Sequence, residues 1–279
     1  MQKNTLITFA FICFTYLVGL TQEQFLYKKI DTTQLYLEVY ASLTKDSTKQ
    51  SPALVFFFGG GWNSGTMKQF EPQAKYFIQR GITCILVDYR VKERQNSTPF
   101  ESLKDAKSAI RYIRAHAKDL RIDPSKIIAS GGSAGGHLAA ATALITDYNE
   151  TSDDLTISSI PDALVLFNPV FDNGPGGYGF ERVGEAYKSF SPLHNIKKGA
   201  PPTIVFLGDK DHLVPVETAK YYKQVMEKVK SRCDLFIYEG QGHGFFNYKN
   251  FEYYKKTVAE TDAFLQSLGY LNKEPIAIF

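Results

Sequence analysis

The stretch Ile127-Ile128-Ala129-Ser130-Gly131-Gly132-Ser133-Ala134-Gly135-Gly136-His137-Leu138 decides how this chain folds. An apolar run passes abruptly through glycines into an alanine-rich segment, which is typical of a strand, a tight turn and a helix. Residues 131–135 fit the pattern G-x-S-x-G, in which small residues allow a strained turn to expose one serine hydroxyl above the carboxyl end of a sheet. The pattern predicts Ser133 as a nucleophile, although a glycine-rich turn with an ordinary serine would also fit it.

Three other apolar runs lead into loops that suit the same chemistry. The run 53–58 ends at Gly59-Gly60-Gly61-Trp62, whose backbone amides are suited to face a developing oxyanion. The run 203–207 ends at Gly208-Asp209-Lys210-Asp211, and the run 235–238 is followed by Gly240-Gln241-Gly242-His243-Gly244. Serine, aspartate and histidine therefore follow one another along the chain, each after an apolar run.

Short apolar runs alternate with segments of helical period through the chain. Residues 34–42 alternate apolar and polar and predict an opening pair of strands. Buried parallel strands are predicted at 55–58, 82–87, 126–129, 163–167, 203–207 and 235–238. Helices are predicted at 99–118, 136–146, 216–229 and 253–268. The sequence thus predicts an α/β fold with a mostly parallel central sheet, helices on both faces and no large cap domain.

The first 22 residues have the pattern of a secretory signal peptide. Lys3 precedes an apolar run from Thr5 to Leu20, after which small and polar residues suggest cleavage near Thr21. A membrane anchor is the alternative, but the run is shorter than the roughly 18 residues usually needed. We therefore expect a single domain over 23–279 and a secreted or periplasmic protein.

Charge and cysteine content narrow the class of protein further. The formal net charge is +3 with acids and bases mixed along the chain, so nothing indicates a nucleic-acid partner. Cys84 and Cys233 lie in or beside predicted strands that should be separated across the sheet, which favours two buried free thiols over a disulfide. We expect no membrane partner after signal cleavage, and the sequence gives no oligomeric state.

Together the motifs resemble those of the α/β-hydrolase superfamily over essentially the whole mature chain. The motifs are Phe57-Phe58-Gly59-Gly60-Gly61-Trp62, Val87-Asp88-Tyr89-Arg90, residues 131–137 and Gly240-Gln241-Gly242-His243-Gly244-Phe245. More narrowly, the chain resembles bacterial carbohydrate-esterase-like members related to hormone-sensitive lipases, which include acetyl esterases and acetyl xylan esterases. The chain order serine, aspartate, histidine also belongs to α/β-hydrolases and not to chymotrypsin-like or subtilisin-like proteases.

The resemblance implies an oxyanion hole made by the amides of Gly60, Gly61 and Ala134. The related lipases have histidine at the start of this motif, where this chain has Phe58. The change leaves the backbone donors intact and puts only the close grouping with those lipases in doubt.

Two aspartates compete for the acid and five histidines for the base. The resemblance favours Asp211 over Asp209, with Asp172 as a weaker third candidate. His243 is favoured as the base because it lies on a glycine-flanked loop after the last strand. His137, one helical turn after Ser133, is expected to pack or cap instead.

Substrate and cofactor expectations complete the prediction. Trp62, Tyr178 and Phe245 are candidates for stacking on a sugar ring near the mouth of the site, or else for packing. We expect no metal and no cofactor, since the histidines lack a ligand-spaced motif. The expected activity is a serine esterase for short acyl groups, acetyl above all, on a small-molecule or oligosaccharide ester. A feruloyl-type esterase, a peptidase and a non-catalytic carbohydrate-binding protein remain alternatives.

Overall fold

The structure, a computed structural model, describes residues 20–42 and 50–273. Eight strands form one sheet: β1 (Leu20–Ile30), β2 (Thr33–Ser42), β3 (Ser51–Phe57), β4 (Thr83–Val87), β5 (Ile122–Gly132), β6 (Ala163–Phe167), β7 (Thr203–Gly208) and β8 (Cys233–Tyr238). Their order across the sheet is β1-β2-β4-β3-β5-β6-β7-β8. The pairs β1–β2 and β2–β4 are antiparallel, and the other neighbours are parallel.

Helices connect the parallel strands and cover both faces of the sheet. They are α1 (Glu71–Gln79), α2 (Lys92–Gln95), α3 (Pro99–Ala115), α4 (Ala134–Leu144), α5 (Phe180–Val183), α6 (Tyr187–Phe190), α7 (Val216–Lys228) and α8 (Phe251–Ser267). Helices α3, α4 and α7 contribute to the core on one face, whereas α1 and α8 contribute to the core on the other. The predicted α/β-hydrolase architecture is confirmed.

Strand β3 shows how a continuous apolar run serves both cores. Val55 and Phe57 belong to the core beneath α3 and α4, while Leu54 and Phe56 belong to the core beneath α1 and α8. Successive side chains point to opposite faces of a strand, so a strand covered on both faces needs apolar residues at every position. Each such side chain contributes roughly 1.5–3 kcal/mol when fully buried.

Some elements differ from the prediction. Helix α1 is not among the predicted helices. Strand β5 begins at Ile122, four residues before the predicted start at 126. Asp123-Pro124-Ser125 are polar or turn-forming residues, so the sequence pattern does not indicate this part of the strand. Cys84 and Cys233 are buried on strands separated by four others, and no disulfide joins them, as expected.

The predicted signal peptide lies almost entirely outside the described residues. Its last residues, 20–22, form the start of β1 and pair with residues 40–42 of β2. The domain division at 22/23 stays a prediction. Among residues 20–42 and 50–273, every helix is too short or too polar to cross a membrane.

Candidate active site

Ser133 lies at the turn between β5 and α4 with a strained backbone. Its φ of 56° and ψ of −120° are rare for a residue with a side chain, and such strain costs on the order of 1–3 kcal/mol. The Ser133 amide donates a hydrogen bond to the Phe167 carbonyl oxygen at 2.9 Å, and the Ser133 carbonyl oxygen accepts one from the His137 amide at 2.9 Å. These bonds hold the turn, and the Ser133 side chain lines a cavity.

Close backbone packing explains the glycines around Ser133. A Cβ atom at Gly131 would lie 2.4 Å from the Gly135 carbonyl group, and one at Gly135 would lie 2.1 Å from the Phe57 carbonyl oxygen. Side chains at these positions would push α4 away from β3. The G-x-S-x-G pattern is therefore a packing requirement of this turn.

The side chains of Ser133, His243 and Asp211 form a continuous hydrogen-bonded chain. Ser133 Oγ lies 2.9 Å from His243 Nε2, and His243 Nδ1 lies 2.7 Å from Asp211 Oδ2. The three residues follow β5, β8 and β7, so the carboxyl ends of three parallel strands bring them together. With the Nδ1 proton donated to Asp211, Nε2 is free to accept the serine proton.

The Asp211 carboxylate is buried and accepts several hydrogen bonds. Its side chain has no exposed surface, and Oδ1 accepts hydrogen bonds from the amides of Leu213 at 2.9 Å and Val214 at 3.0 Å. Burial by itself would raise the pKa of Asp211, but the hydrogen bond from His243, its charge and the two amides lower the pKa below its ordinary value. Asp211 is therefore held as the anion that an imidazolium needs beside it.

The two other candidate acids do not contact His243. Asp209 is exposed, and its Oδ1 accepts a hydrogen bond from the Gly240 amide at 2.7 Å. Asp172 Oδ1 accepts one from the Gly174 amide at 2.8 Å. Both carboxylates stabilise local turns, which is a common use of aspartate in loops.

Asn168 lies against the His243 ring. Its Nδ2 atom is 2.8 Å from both ring nitrogens, and an atom at that range from both lies over the ring rather than in its plane. Asn168 directly follows β6 with a φ of 37°, a conformation that asparagine tolerates better than most residues. Its backbone amide donates to the Phe206 carbonyl oxygen at 2.7 Å. Asn168 is thus fixed where it restricts rotation of His243.

Three backbone amides beside Ser133 are free. Within residues 20–42 and 50–273, the amides of Gly60, Gly61 and Ala134 donate no hydrogen bond to another protein group. Gly60 and Gly61 line the same cavity as Ser133, and Ala134 begins α4 directly after it. Free amides and a helix N-terminus favour negative charge. All three predicted donors are therefore available to an anion.

Contacts from two other segments hold the loop that carries these glycines. The Gly59 amide donates to Gln69 Oε1 at 2.6 Å. From α5, Arg182 Nη1 donates to the Gly61 carbonyl oxygen. The loop therefore keeps its free amides without needing them for its own support.

Phe58 supports the loop from the core. Its ring stacks on Tyr89 with centroids 4.0 Å apart, and the Tyr89 hydroxyl donates to the Phe58 carbonyl oxygen at 2.6 Å. Phe58 is 1% exposed and does not line the Ser133 cavity. An apolar ring at this position therefore acts through packing.

The cavity around Ser133 is small. Its volume is ≈200 Å³. In its wall, Gln69 Nε2 donates to Asn247 Oδ1 at 3.0 Å and joins the glycine loop to the loop of His243. Tyr178 and the exposed Leu213 also line the cavity.

Two of the three predicted aromatic substrate contacts are wrong. Trp62 is only 1% exposed and packs edge-on against His137, with ring centroids 5.0 Å apart. Phe245 is buried among other aromatic side chains, and its neighbour Phe246 lines the cavity instead. Of the three, Tyr178 alone lines the cavity.

His137 is a buried packing residue, as expected. Its Nε2 donates to the Phe190 carbonyl oxygen at 3.0 Å. Burial lowers the pKa of His137 to about 3, although the Phe190 contact opposes the shift. The ring is therefore neutral and unavailable as a base near neutral pH. Among the residues that the structure describes, no group of three or more His, Cys, Asp or Glu side chains is arranged to hold a metal ion.

Four polar side chains at the site were not predicted: Gln69, Asn168, Arg182 and Asn247. Asn168 had a usable signal, because it directly follows a predicted buried strand at the same edge of the sheet as Ser133. The Gln69–Asn247 bond joins residues 178 positions apart. No local pattern marks such a pair.

Comparison with known proteins agrees with this geometry. A family model described as BD-FAE matches residues 37–166, and the Dienelactone hydrolase family model matches residues 169–274. A structure of Thermogutta terrifontis esterase 2 phosphorylated by paraoxon is 44% identical, covers 91% of this chain and 96% of that chain, and superposes with a TM-score of 0.86. The propionate-bound form of the same esterase is 43% identical with the same coverage and a TM-score of 0.85.

More distant relatives are also ester hydrolases. A probable carboxylic ester hydrolase, LipM of Mycobacterium tuberculosis, is 27% identical over 71% of this chain and 50% of its own length. An acetylxylan esterase of Xylanibacter ruminicola is 25% identical over 81% of this chain and 48% of its own length. The chain thus spans about half the length of these curated relatives.

Proposed function

The chain belongs to the α/β-hydrolase superfamily, in which its relatives are esterases, and we propose that it is a serine esterase that removes short acyl groups, acetyl above all, from carbohydrate esters. One observation carries the proposal. Ser133, His243 and Asp211 form a hydrogen-bonded chain beside the free amides of Gly60 and Gly61.

The mechanism follows from these contacts. Ser133 Oγ attacks the ester carbonyl carbon while His243 Nε2 takes the hydroxyl proton, and the free amides bind the resulting oxyanion. The tetrahedral intermediate expels the alcohol, which takes the proton from His243, and leaves an acyl-serine. Water then attacks the acyl group by the same route, which releases the acid and restores Ser133. Asp211 stabilises the imidazolium in both halves.

The size of the cavity supports a short acyl group. Its volume is ≈200 Å³, and the hydrogen-bonded side chains of Gln69 and Asn247 form part of its wall. The similar Thermogutta esterase binds propionate. A relative that is an acetylxylan esterase supports the carbohydrate part of the proposal.

The proposal includes export from the cytoplasm. Residues 1–22 carry the signal-peptide pattern described above. Expression in a bacterial host followed by N-terminal sequencing of the exported protein tests this part. A new N-terminus within a few residues of Thr21 is expected, and a retained Met1 would contradict export by cleavage.

Covalent labelling tests the esterase itself. Because the Thermogutta esterase is phosphorylated by paraoxon, paraoxon should add one phosphoryl group to this protein at Ser133, detected by peptide mass mapping. Ser133→Ala should lose the adduct and the hydrolysis of 4-nitrophenyl acetate. Ser130→Ala, which alters a buried serine on the strand that leads to Ser133, is the matched control and should keep both.

A substrate panel then separates the alternatives. Acetyl esters should be hydrolysed faster than butyryl and feruloyl esters or peptide amides. A preference for feruloyl esters or peptides would replace the proposed activity by those alternatives. Absence of both labelling and turnover in the folded protein would favour a non-catalytic carbohydrate-binding protein.

A further inference from the structure

A second cavity adjoins the one that holds Ser133. Its volume is ≈220 Å³, and Tyr178 and Leu213 form part of both cavities. The remaining walls come from residues 170–177, after β6, and from residues 214–218 at the start of α7. Because the two cavities share these residues, the alcohol part of an ester bound at Ser133 can reach the second cavity.

Asp172 supplies the second cavity with a carboxylate. Its side chain is 34% exposed and lines the cavity. Oδ1 accepts the Gly174 amide at 2.8 Å, and His194 Nδ1 lies 3.8 Å away from the same oxygen. Oδ2 accepts no hydrogen bond from any residue within 20–42 and 50–273. One carboxylate oxygen is therefore available to a ligand.

The rest of the lining suits a compact, neutral and polar ligand. Thr218 lines the cavity, and no hydrogen bond joins its hydroxyl to the part of the chain that the structure describes. Tyr178, Pro175 and Pro215 supply flat apolar surface. A sugar ring presents hydroxyl donors at its edge and C–H groups on its faces, which match these two kinds of surface. An anionic alcohol would be repelled by Asp172, and an alkyl chain would desolvate the carboxylate without giving it a partner.

We propose that this Asp172 cavity binds the alcohol part of the ester as a single neutral sugar unit, with Asp172 accepting a hydrogen bond from a ring hydroxyl. The proposal rests on the proposed function and adds to it the cavity that holds the sugar and the size of the sugar. The volume is below the about 300–1,000 Å³ of sites for drug-sized ligands, which fits one sugar unit better than an oligosaccharide.

Three acetates with different alcohols test the proposal: acetylated methyl xyloside, 4-nitrophenyl acetate and acetylcholine. Asp172→Asn keeps an oxygen for the Gly174 amide and removes the charge. We expect the ratio of kcat/KM for the xyloside acetate over the aryl acetate to fall about tenfold, as for loss of a hydrogen bond to a charged group. The fall should appear mainly in KM. Thr218→Val, an independent change in the same cavity, should lower the ratio in the same direction.

The matched control is Asp154→Asn. Asp154 Oδ1 also accepts the amide two residues later, from Thr156 at 2.9 Å, but Asp154 is exposed and lines neither cavity. The control should leave the ratio unchanged. The subsite is overturned if the ratio falls equally in the control, or if it is unchanged in both cavity variants. Neither outcome affects the proposed esterase activity. If Asp172→Asn loses more kcat/KM on acetylcholine than on the xyloside acetate, the cavity binds a cationic alcohol and not a sugar. Failure of the wild type to hydrolyse any acetate overturns the proposed function together with the subsite.

Discussion

Arg182 donates a hydrogen bond from Nη1 to the carbonyl oxygen of Gly61, 121 residues earlier in the chain. The guanidinium lies over two rings, 5.3 Å from the centroid of Trp62 and 5.2 Å from that of Tyr178. Its Nε donates to Glu181 at 2.9 Å. These contacts fix the guanidinium, and the guanidinium fixes the peptide plane after Gly61. That peptide directly follows the Gly61 amide in the chain, so Arg182 is a positioning residue for the glycine loop.

Loss of this contact should reduce turnover more than binding. We expect Arg182→Gln to lower kcat on 4-nitrophenyl acetate about tenfold, less than the roughly 10²- to 10³-fold for complete loss of an oxyanion donor. KM should change less, and Arg182→Lys should restore part of kcat. Arg232→Gln is the control, because Arg232 also stacks on a ring and pairs with an acid but is remote from the site in the fold. An unchanged kcat in Arg182→Gln would show that Arg182 does not position the glycine loop.

Asp211 and Asp209 are separated by one residue but predicted to differ greatly in effect. Asp211→Asn should lower kcat by about 10⁴-fold, because an amide beside Nδ1 favours the wrong histidine tautomer. Asp209→Asn should stay within a few-fold, since the Asp209 carboxylate accepts the Gly240 amide and does not contact His243. Steady-state kinetics on one aryl acetate decide the ranking. The reverse order would show that the acid had been misassigned.

The sequence predicted well those parts of the site that depend on backbone placement. Ser133, Asp211 and His243 each follow a predicted parallel strand, and parallel strands bring their carboxyl ends to one edge of the sheet. The glycines of residues 131–135 also allowed the turn to be predicted, because close backbone contacts leave no room for side chains at these positions.

Side-chain orientation in loops was the part that sequence could not supply. Phe245 and Phe246 are adjacent and chemically identical, yet only the second lines the cavity. Trp62 follows the glycine loop in sequence, but its φ of 58° and its contacts with His137 take the ring into the core. Such choices depend on which distant segments pack against a loop, and Arg182 on Gly61 is a further case.

The ionisation of Asp211 should also affect stability. Its pKa in the folded protein is lowered below the ordinary value of 3.8, so the folded state binds a proton less readily than the unfolded state. The resulting stability is fully present above the unfolded pKa of about 3.9 and is lost as the pH falls through the lower folded pKa. The wild type should therefore lose free energy of unfolding relative to Asp211→Asn as the pH falls from 7 to 3. Urea denaturation at both values measures it, and a constant difference would contradict the shift.

The last prediction separates loop geometry from general backbone strain. Gly60 has a φ of 126°, and a Cβ atom there would lie 2.2 Å from the Ser64 carbonyl oxygen, so Gly60→Ala must displace the glycine loop. Gly81 has a φ of 83°, and a Cβ atom there would meet no described residue within 4 Å beyond its chain neighbours, which makes Gly81→Ala the matched control. Both changes should cost roughly 1–2 kcal/mol of stability through positive φ. Only Gly60→Ala should lower kcat on 4-nitrophenyl acetate, by about 10²- to 10³-fold, with a smaller change in KM. A folded Gly60→Ala enzyme with nearly normal kcat would mean that other donors bind the oxyanion.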